Sequence, residues 1–398
     1  MLWSDTVRRW LPALGTAIPL IILPIAILSI PLAAAQEMRL SAAETTSWIL
    51  VLYGLPGLLG LVLTIRYRQP LLLTGNVFVL IFIASLGSQL SYPEIVGASI
   101  VAGGSVLLIS ALGLTDWLAA RIPAPIVLGL LAGATMPFVS GIFTTLGDEP
   151  VLIGGTFVAY VLGHRVLGMR VPAILPALVV GLAIAALTGE LGQVPARSPL
   201  ALPTVTTPDF TVHAIATATP VLVILITLQS NVPSVVFLRN QDYHPPESLI
   251  NNISGVGTLV GSLLGPTGVS LSLPATALAA GPDAGEHQLR HRSVYLASAA
   301  VVVIGLLAGI AAELPEIIPL RLLLALAGLA VIGVLANALQ QIIRGPLLLG
   351  PLFAFAVALS KISILGFGPF FWALVIGTGV SLLLERDELQ VLRSPAPE

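Results

Sequence analysis

Apolar residues run along this chain in blocks of roughly membrane thickness, broken by charges, Pro or Gly. The blocks fall near 11–35, 46–65, 70–89, 93–114, 122–146, 150–164, 171–188, 211–236, 248–264, 266–281, 292–312, 317–341, 346–362 and 367–384. A bilayer core asks for about 20 apolar residues per helix, so this pattern predicts an all-α polytopic membrane protein with about fourteen transmembrane segments. Pro and Gly interrupt the third and tenth blocks, and short extended stretches leading into half-helices are expected there.

Positive charge tests the count, because Arg and Lys concentrate in the cytoplasmic loops. With the N-terminus inside, Arg8, Arg9, Arg66, Arg68, Arg121, Arg165, Arg170, Arg239, Arg290, Arg292, Arg344, Arg386 and Arg393 are cytoplasmic. Only Arg39, Arg197, Arg321 and Lys361 fall outside. Both termini of an inner-membrane protein are therefore expected in the cytoplasm. Arg8 and Arg9 before an apolar run resemble the opening of a signal peptide, but no small-residue cleavage site follows, so Ile18 to Ala35 reads as a retained first helix. Leu130–Ile142 (LLAGATMPFVSGI) echoes Ala325–Asn337 (ALAGLAVIGVLAN). A duplicated seven-segment half would produce that echo, and an odd number of crossings turns the second copy upside down, as in inverted-repeat carriers.

Composition narrows the function. With 56% hydrophobic and 9% charged residues over 398 positions and a mean hydropathy of +1.01, too little polar surface exists to coat a water-soluble globule. The net charge is −2 and basic residues are scattered, so no nucleic-acid partner is expected. There is no cysteine, and neither a cofactor nor a metal enters the reading. His164, His213, His244, His287 and His291 lie in or beside loops, which argues against an intramembrane enzyme.

Two stretches carry the candidate chemistry. Gln69 to Asn76 (QPLLLTGN) and Gly265 to Pro274 (GPTGVSLSLP) each begin with Pro near the start and hold Thr-Gly further in. Half-helix N-termini there would present free N–H groups to an anion at the membrane midplane. Gln229, Ser230 and Asn231 form a third polar group at depth in an apolar segment, and at least one of these three side chains should reach a cavity. Every Asp and Glu lies at or near a segment end, so a coupling proton would ride on the substrate acid or titrate a rim residue such as Glu44, His213 or Glu247. Lys361, the only lysine, reads as an interfacial snorkeling residue or an anion attractor.

Several motifs in order resemble the benzoate/proton symporter family, BenE, whose fold is similar to that of the uracil permeases. They are Ser230-Asn231-Val232-Pro233 with Arg239 and Tyr243, Gly281-Pro282-Asp283-Ala284, Ala327-Gly328-Leu329-Ala330 with Asn337-Ala338-Leu339, and Gly366-Phe367-Gly368 before Phe371-Trp372. Ile122-Pro123-Ala124-Pro125-Ile126 with Leu131-Ala132-Gly133 resembles the family's fifth segment. The resemblance implies a core domain (1–114 and 210–312) and a gate domain (115–190 and 313–385), with substrate between them and segments three and ten each giving a strand and a half-helix. It departs from the family pattern at Leu73-Thr74-Gly75-Asn76, at Ser272, and at Gln229-Ser230, the places that choose the substrate.

The reading is thus a secondary transporter for a small organic anion of benzoate type, with a proton as coupling ion. Its site residues are Thr74, Gly75, Asn76, Gln229, Ser230, Asn231, Thr267, Gly268, Ser270 and Ser272, and Asn231→Ala or Ser272→Ala is expected to raise the transport KM with normal membrane insertion. The alternative is a channel or uniporter for an inorganic anion or a neutral solute such as a nucleobase. The Leu-, Val- and Ala-rich gate face is compatible with a homodimer and equally with contact to membrane lipid.

Overall fold

A computed structural model describes residues 2–115, 117–118, 122–167, 172–193, 199–281, 284–360, 362–365 and 367–393. Lys361, Pro282, Asp283 and Gly366, all singled out in the sequence, lie outside these residues.

Helices account for nearly all of the structure. The first half contains α1 (Leu2–Ala26), α2 (Ser29–Glu37), α3 (Ala42–Ile49), α4 (Leu55–Tyr67), the strand β1 (Leu73–Gly75), α5 (Val77–Leu86), α6 (Tyr92–Ala111), α7 (Ala124–Asp148), α8 (Pro150–Leu167) and α9 (Ile174–Thr188). The second half contains α10 (Val212–Ile226), α11 (Val232–Asn240), α12 (Glu247–Gly261), β2 (Val269–Leu271), α13 (Leu273–Ala280), α14 (His291–Leu306), α15 (Ala308–Ile317), α16 (Leu320–Arg344), α17 (Leu349–Leu359), α18 (Pro369–Leu384) and α19 (Arg386–Arg393). Single π-helical turns, Leu50–Gly54 and Thr227–Asn231, join α3 to α4 and α10 to α11. Such turns insert an extra residue per turn and recur at functional sites.

Among the described residues, seven helical stretches are long and apolar enough to cross a membrane. Shorter apolar helices at Val77–Leu86, Pro150–Val166, Ile174–Thr188, Leu349–Leu359 and Pro369–Leu384 accompany them. Large apolar side chains cover the outside: Leu187 is 88% and Leu383 is 81% exposed. In water such a surface would aggregate, whereas in lipid it costs nothing.

The packing falls into two groups of helices. In one, α7 packs on α16 and α17, α17 on α18, and α8 on α9. In the other, α6 packs on α10 and α12, and α14 on α1 and α4, around the two strands. The groups meet where α2 lies on α16, α5 on α7, and α10 on α18. The two stretches that echo each other in sequence, on α7 and α16, are therefore packed face to face. A side chain at Gly328 would collide with the Phe138 carbonyl of α7, so glycine sets that close approach.

Both predicted interrupted segments contain a strand followed by a short helix. Residues Leu73, Thr74 and Gly75 pair antiparallel with Leu271, Ser270 and Val269. Extended backbone at membrane depth must find partners inside the protein, and each strand supplies them for the other. The remaining groups are satisfied from neighbours: the Val269 N–H donates to Thr258 Oγ1 at 3.0 Å, the Leu271 N–H to Asn231 Oδ1 at 2.9 Å, and the Asn76 N–H to the Gly268 carbonyl at 2.8 Å. Helix α5, at 10 residues, spans about 15 Å, half of the hydrocarbon core.

Candidate anion site between the strands and helices 7 and 16

The strand ends open onto a cavity of about 570 Å³. One wall is built from Thr74, Gly75, Val77, Phe78, Gln229, Ser272 and Leu273, with Tyr53 from the first π turn. The facing wall comes from Ala124, Leu128 and Leu131 of α7 and from Ala330, Val334, Asn337, Ala338 and Gln341 of α16. Helix α1 adds Leu20, Leu23 and Pro24 at the helical spacing of one face, and Ile27 follows in the turn after it.

Tyr53 apart, no titratable side chain lines this cavity. The Tyr53 hydroxyl donates to the Pro24 carbonyl at 3.1 Å, which ties the π turn to α1. The positive pole available to an anion is therefore backbone. Ser272 occupies the N-cap position of α13, yet its hydroxyl makes no capping hydrogen bond to that helix, and Pro274 follows within the first turn. The helix thus begins at the cavity without a side-chain cap, and helix starts carry partial positive charge and unpaired N–H groups. The start of α5 differs. There Asn76 Oδ1 accepts from the Phe78 and Val79 N–H groups at 2.8 and 3.3 Å, so two of that helix's free donors are already used.

The ten residues selected from sequence divide into two sets. Thr74, Gly75, Gln229 and Ser272 line the cavity. The hydroxyls of Thr74 and Ser272 and the Gln229 amide have no partner within the described residues. Asn76, Ser230, Asn231, Thr267, Gly268 and Ser270 stand behind that wall. Asn76 Nδ2 donates to Ser230 Oγ at 2.7 Å and to the Leu225 carbonyl at 3.1 Å. Asn231 Nδ2 donates to Asn251 Oδ1 at 2.9 Å and Ser254 Oγ at 3.0 Å. Ser270 Oγ donates to the Leu271 carbonyl at 2.9 Å, and the buried Thr267 hydroxyl has no hydrogen-bond partner within the described residues. A side chain on Gly268 would press on Val79 at 2.8 Å. These six build the scaffold that holds the other four. Of the consecutive polar trio, Gln229 is the one that reaches the cavity.

Sequence reasoning did not select Tyr53, Asn337 or Gln341 as site residues. For the last two a signal existed: two amides four residues apart on a helix otherwise rich in Leu and Ala share one face. The rim candidates for protonation lie elsewhere. Glu247 pairs with Arg239 at 2.8 Å, and Glu44 closes a capping box with Ser41 at the start of α3.

Comparison with known proteins places the chain. The chain is 26% identical over 350 residues, 86% of its length, to the benzoate membrane transport protein of Acinetobacter baylyi, 87% of which is covered. It is equally identical, over the same share, to the inner membrane protein YdcO of Escherichia coli, 88% of which is covered. Solved structures share the fold at lower identity. The transmembrane domain of the cyanobacterial bicarbonate transporter BicA matches with a TM-score of 0.54 at 16% identity, over 94% of this chain and 97% of that one. SLC26A9 matches with a TM-score of 0.61 at 15% identity, over 97% of this chain and 66% of that one. The family model described as benzoate membrane transport protein, BenE, matches residues 13–383, and this multi-pass membrane protein therefore belongs to that family of transporters.

Proposed function

We propose that this transporter moves a small organic anion of benzoate type across the inner membrane together with protons, by alternating access. The observation that carries the reading is the cavity: an uncapped helix start and free polar groups on one side, facing walls that are apolar except for Asn337 and Gln341, and no charged side chain among its lining residues. A carboxylate would sit at the Ser272 end against α13, and an aromatic ring would lie along Leu20, Leu128, Leu131 and Phe78. The name of the Acinetobacter baylyi relative supports benzoate as the first substrate to test.

The antiparallel pairing of β1 with β2 supports a fourteen-crossing inverted repeat, because each strand leads into a short helix and the two run oppositely from the centre. In this reading residues 1–114 and 210–312 form a core, residues 115–190 and 313–385 form a gate, and substrate lies between them. The gate lining comes from the first turns of α7 and the last turns of α16, a helix that ends at Arg344. With the termini inside, both ends would be cytoplasmic, which supports reading the cavity as open to the inside.

With no carboxylate in the cavity, the proton would travel on the substrate or titrate at the rim. The same observation favours a second reading, a uniporter for an anion or a neutral solute. One experiment separates them: uptake of labelled benzoate by proteoliposomes holding the purified protein, with and without an inward proton gradient. Accumulation that needs the gradient supports the symporter. Flux that follows benzoate's own gradient alone supports the uniporter, and no protein-dependent flux overturns benzoate as the substrate.

A further inference from the structure

The cavity has a second polar end that the benzoate reading leaves unused. Ala330, Val334, Asn337, Ala338 and Gln341 follow one another at the spacing of a single helix face, and all five line the cavity from α16. Asn337 and Gln341 are the polar members of that face. Neither amide has a hydrogen-bond partner within the described residues. The unsubstituted ring of benzoate offers nothing to two amides, and a cavity of about 570 Å³ is larger than that acid needs.

We infer that Asn337 and Gln341 form a specificity pole for a hydrogen-bonding ring substituent, so that the preferred substrate is an aromatic carboxylate bearing a ring hydroxyl at the 3- or 4-position. The inference rests on the carboxylate reading above, which puts the acid group at Ser272 and leaves the ring to meet the facing wall, of which α16 forms part. Each amide offers both a donor and an acceptor, which suits a hydroxyl better than a charged group. A neutral hydrogen bond gained at a site that is otherwise watered is worth about three- to tenfold in affinity. A hydroxyl at the 2-position is closed onto its own carboxylate by an internal hydrogen bond, and it gains nothing from the amides. The amides lie on the wall opposite the strands, so the preference would also be felt as the two walls move against each other.

The test is competition by unlabelled acids in binding to the purified, detergent-solubilised full chain, read as affinity ratios to benzoate. The panel is 2-, 3- and 4-hydroxybenzoate and 4-methylbenzoate, which matches the 4-hydroxy acid in size without a donor. The expected result is about a three- to tenfold preference for the 3- or 4-hydroxy acid over 4-methylbenzoate, absent for the 2-hydroxy acid. In Asn337→Leu and in Gln341→Met, which keep shape and remove the amide, that ratio should fall toward one. The wild-type comparison stands by itself if either variant fails to fold. Binding of benzoate with no preference for the hydroxy acids, or a preference that survives both substitutions, overturns this inference and leaves the benzoate reading intact. Absence of binding by every acid in the panel overturns the carboxylate reading and this inference with it.

Discussion

Asn76 Nδ2 lies 2.7 Å from Ser230 Oγ, and this hydrogen bond joins the start of α5 to the π turn between α10 and α11. The two residues are 154 positions apart, one closing the first interrupted region and the other in the polar turn of the eighth block, and both are buried. Their contact fixes how the strand wall of the cavity meets the polar turn that carries Gln229.

Asn76 therefore acts as a cap and a brace together. Asn76→Ala removes the acceptor used by Phe78 and Val79 and the donor to Ser230 Oγ and the Leu225 carbonyl, at a cost of about 1–3 kcal/mol. Thermal unfolding in detergent should show a lower melting temperature, with Asn76→Asp intermediate because it keeps the cap but not the donor. A wild-type melting temperature in Asn76→Ala would refute the brace.

The sequence alone puts Asn231 and Ser272 in one class, and the structure separates them. Asn231→Ala leaves the Leu271 N–H and the Asn251 Oδ1 without partners in the interior, each worth about 1–3 kcal/mol. Its folded yield should fall. Gln229→Ala, Thr74→Ala and Ser272→Ala break no internal bond, so they should melt near wild type and raise the transport KM by about three- to tenfold. Equal melting temperatures for Asn231→Ala and Gln229→Ala would contradict this division.

Glycine is required at β1 because a side chain at Gly75 would run into the Leu52 carbonyl of the π turn. Backbone cannot yield as a side chain can, so Gly75→Ala should cost about 3 kcal/mol or more and fail to give monodisperse protein. Gly268→Ala meets only the Val79 side chain. Its defect should be partly rescued in the double variant with Val79→Ala, checked by size-exclusion profile; no rescue would place the obstruction elsewhere.

Glu385 follows α18 and is 5% exposed. Burial pushes its carboxyl up, but the Gly350, Leu348 and Leu349 N–H groups and the Ser381 hydroxyl outweigh burial and hold it below the ordinary carboxylate range. A depressed value in the folded state means that the stabilisation is present above the unfolded value and lost as pH falls through the folded one. The melting temperature should therefore drop in acid below the usual carboxylate range. Glu385→Gln should cost on the order of 2 kcal/mol at neutral pH and flatten that dependence; an unchanged acid profile in the variant would assign it to other groups.

Much of the architecture is legible in local sequence. Hydropathy marks the helices because lipid admits only apolar runs with satisfied backbone, and Pro70, Gly75, Pro266 and Gly268 mark both breaks because these residues resist helix wherever they stand. Strand register is not legible, since Thr74 meets Ser270 across nearly 200 residues of intervening chain.

The sequence by itself determined that this chain lives in a membrane, where its helices and two interruptions lie, and which polar residues sit at depth. Only the tertiary structure decided which of those polar residues are free. A buried Asn must be hydrogen-bonded, and its partners come from distant segments: Ser230 for Asn76, Asn251 and Ser254 for Asn231. Composition and spacing give the need for a partner but not its address, so scaffold and site look alike until packing consumes Asn76 and Asn231 and leaves Thr74, Gln229 and Ser272 facing the cavity, where Asn337 and Gln341 of α16 join them.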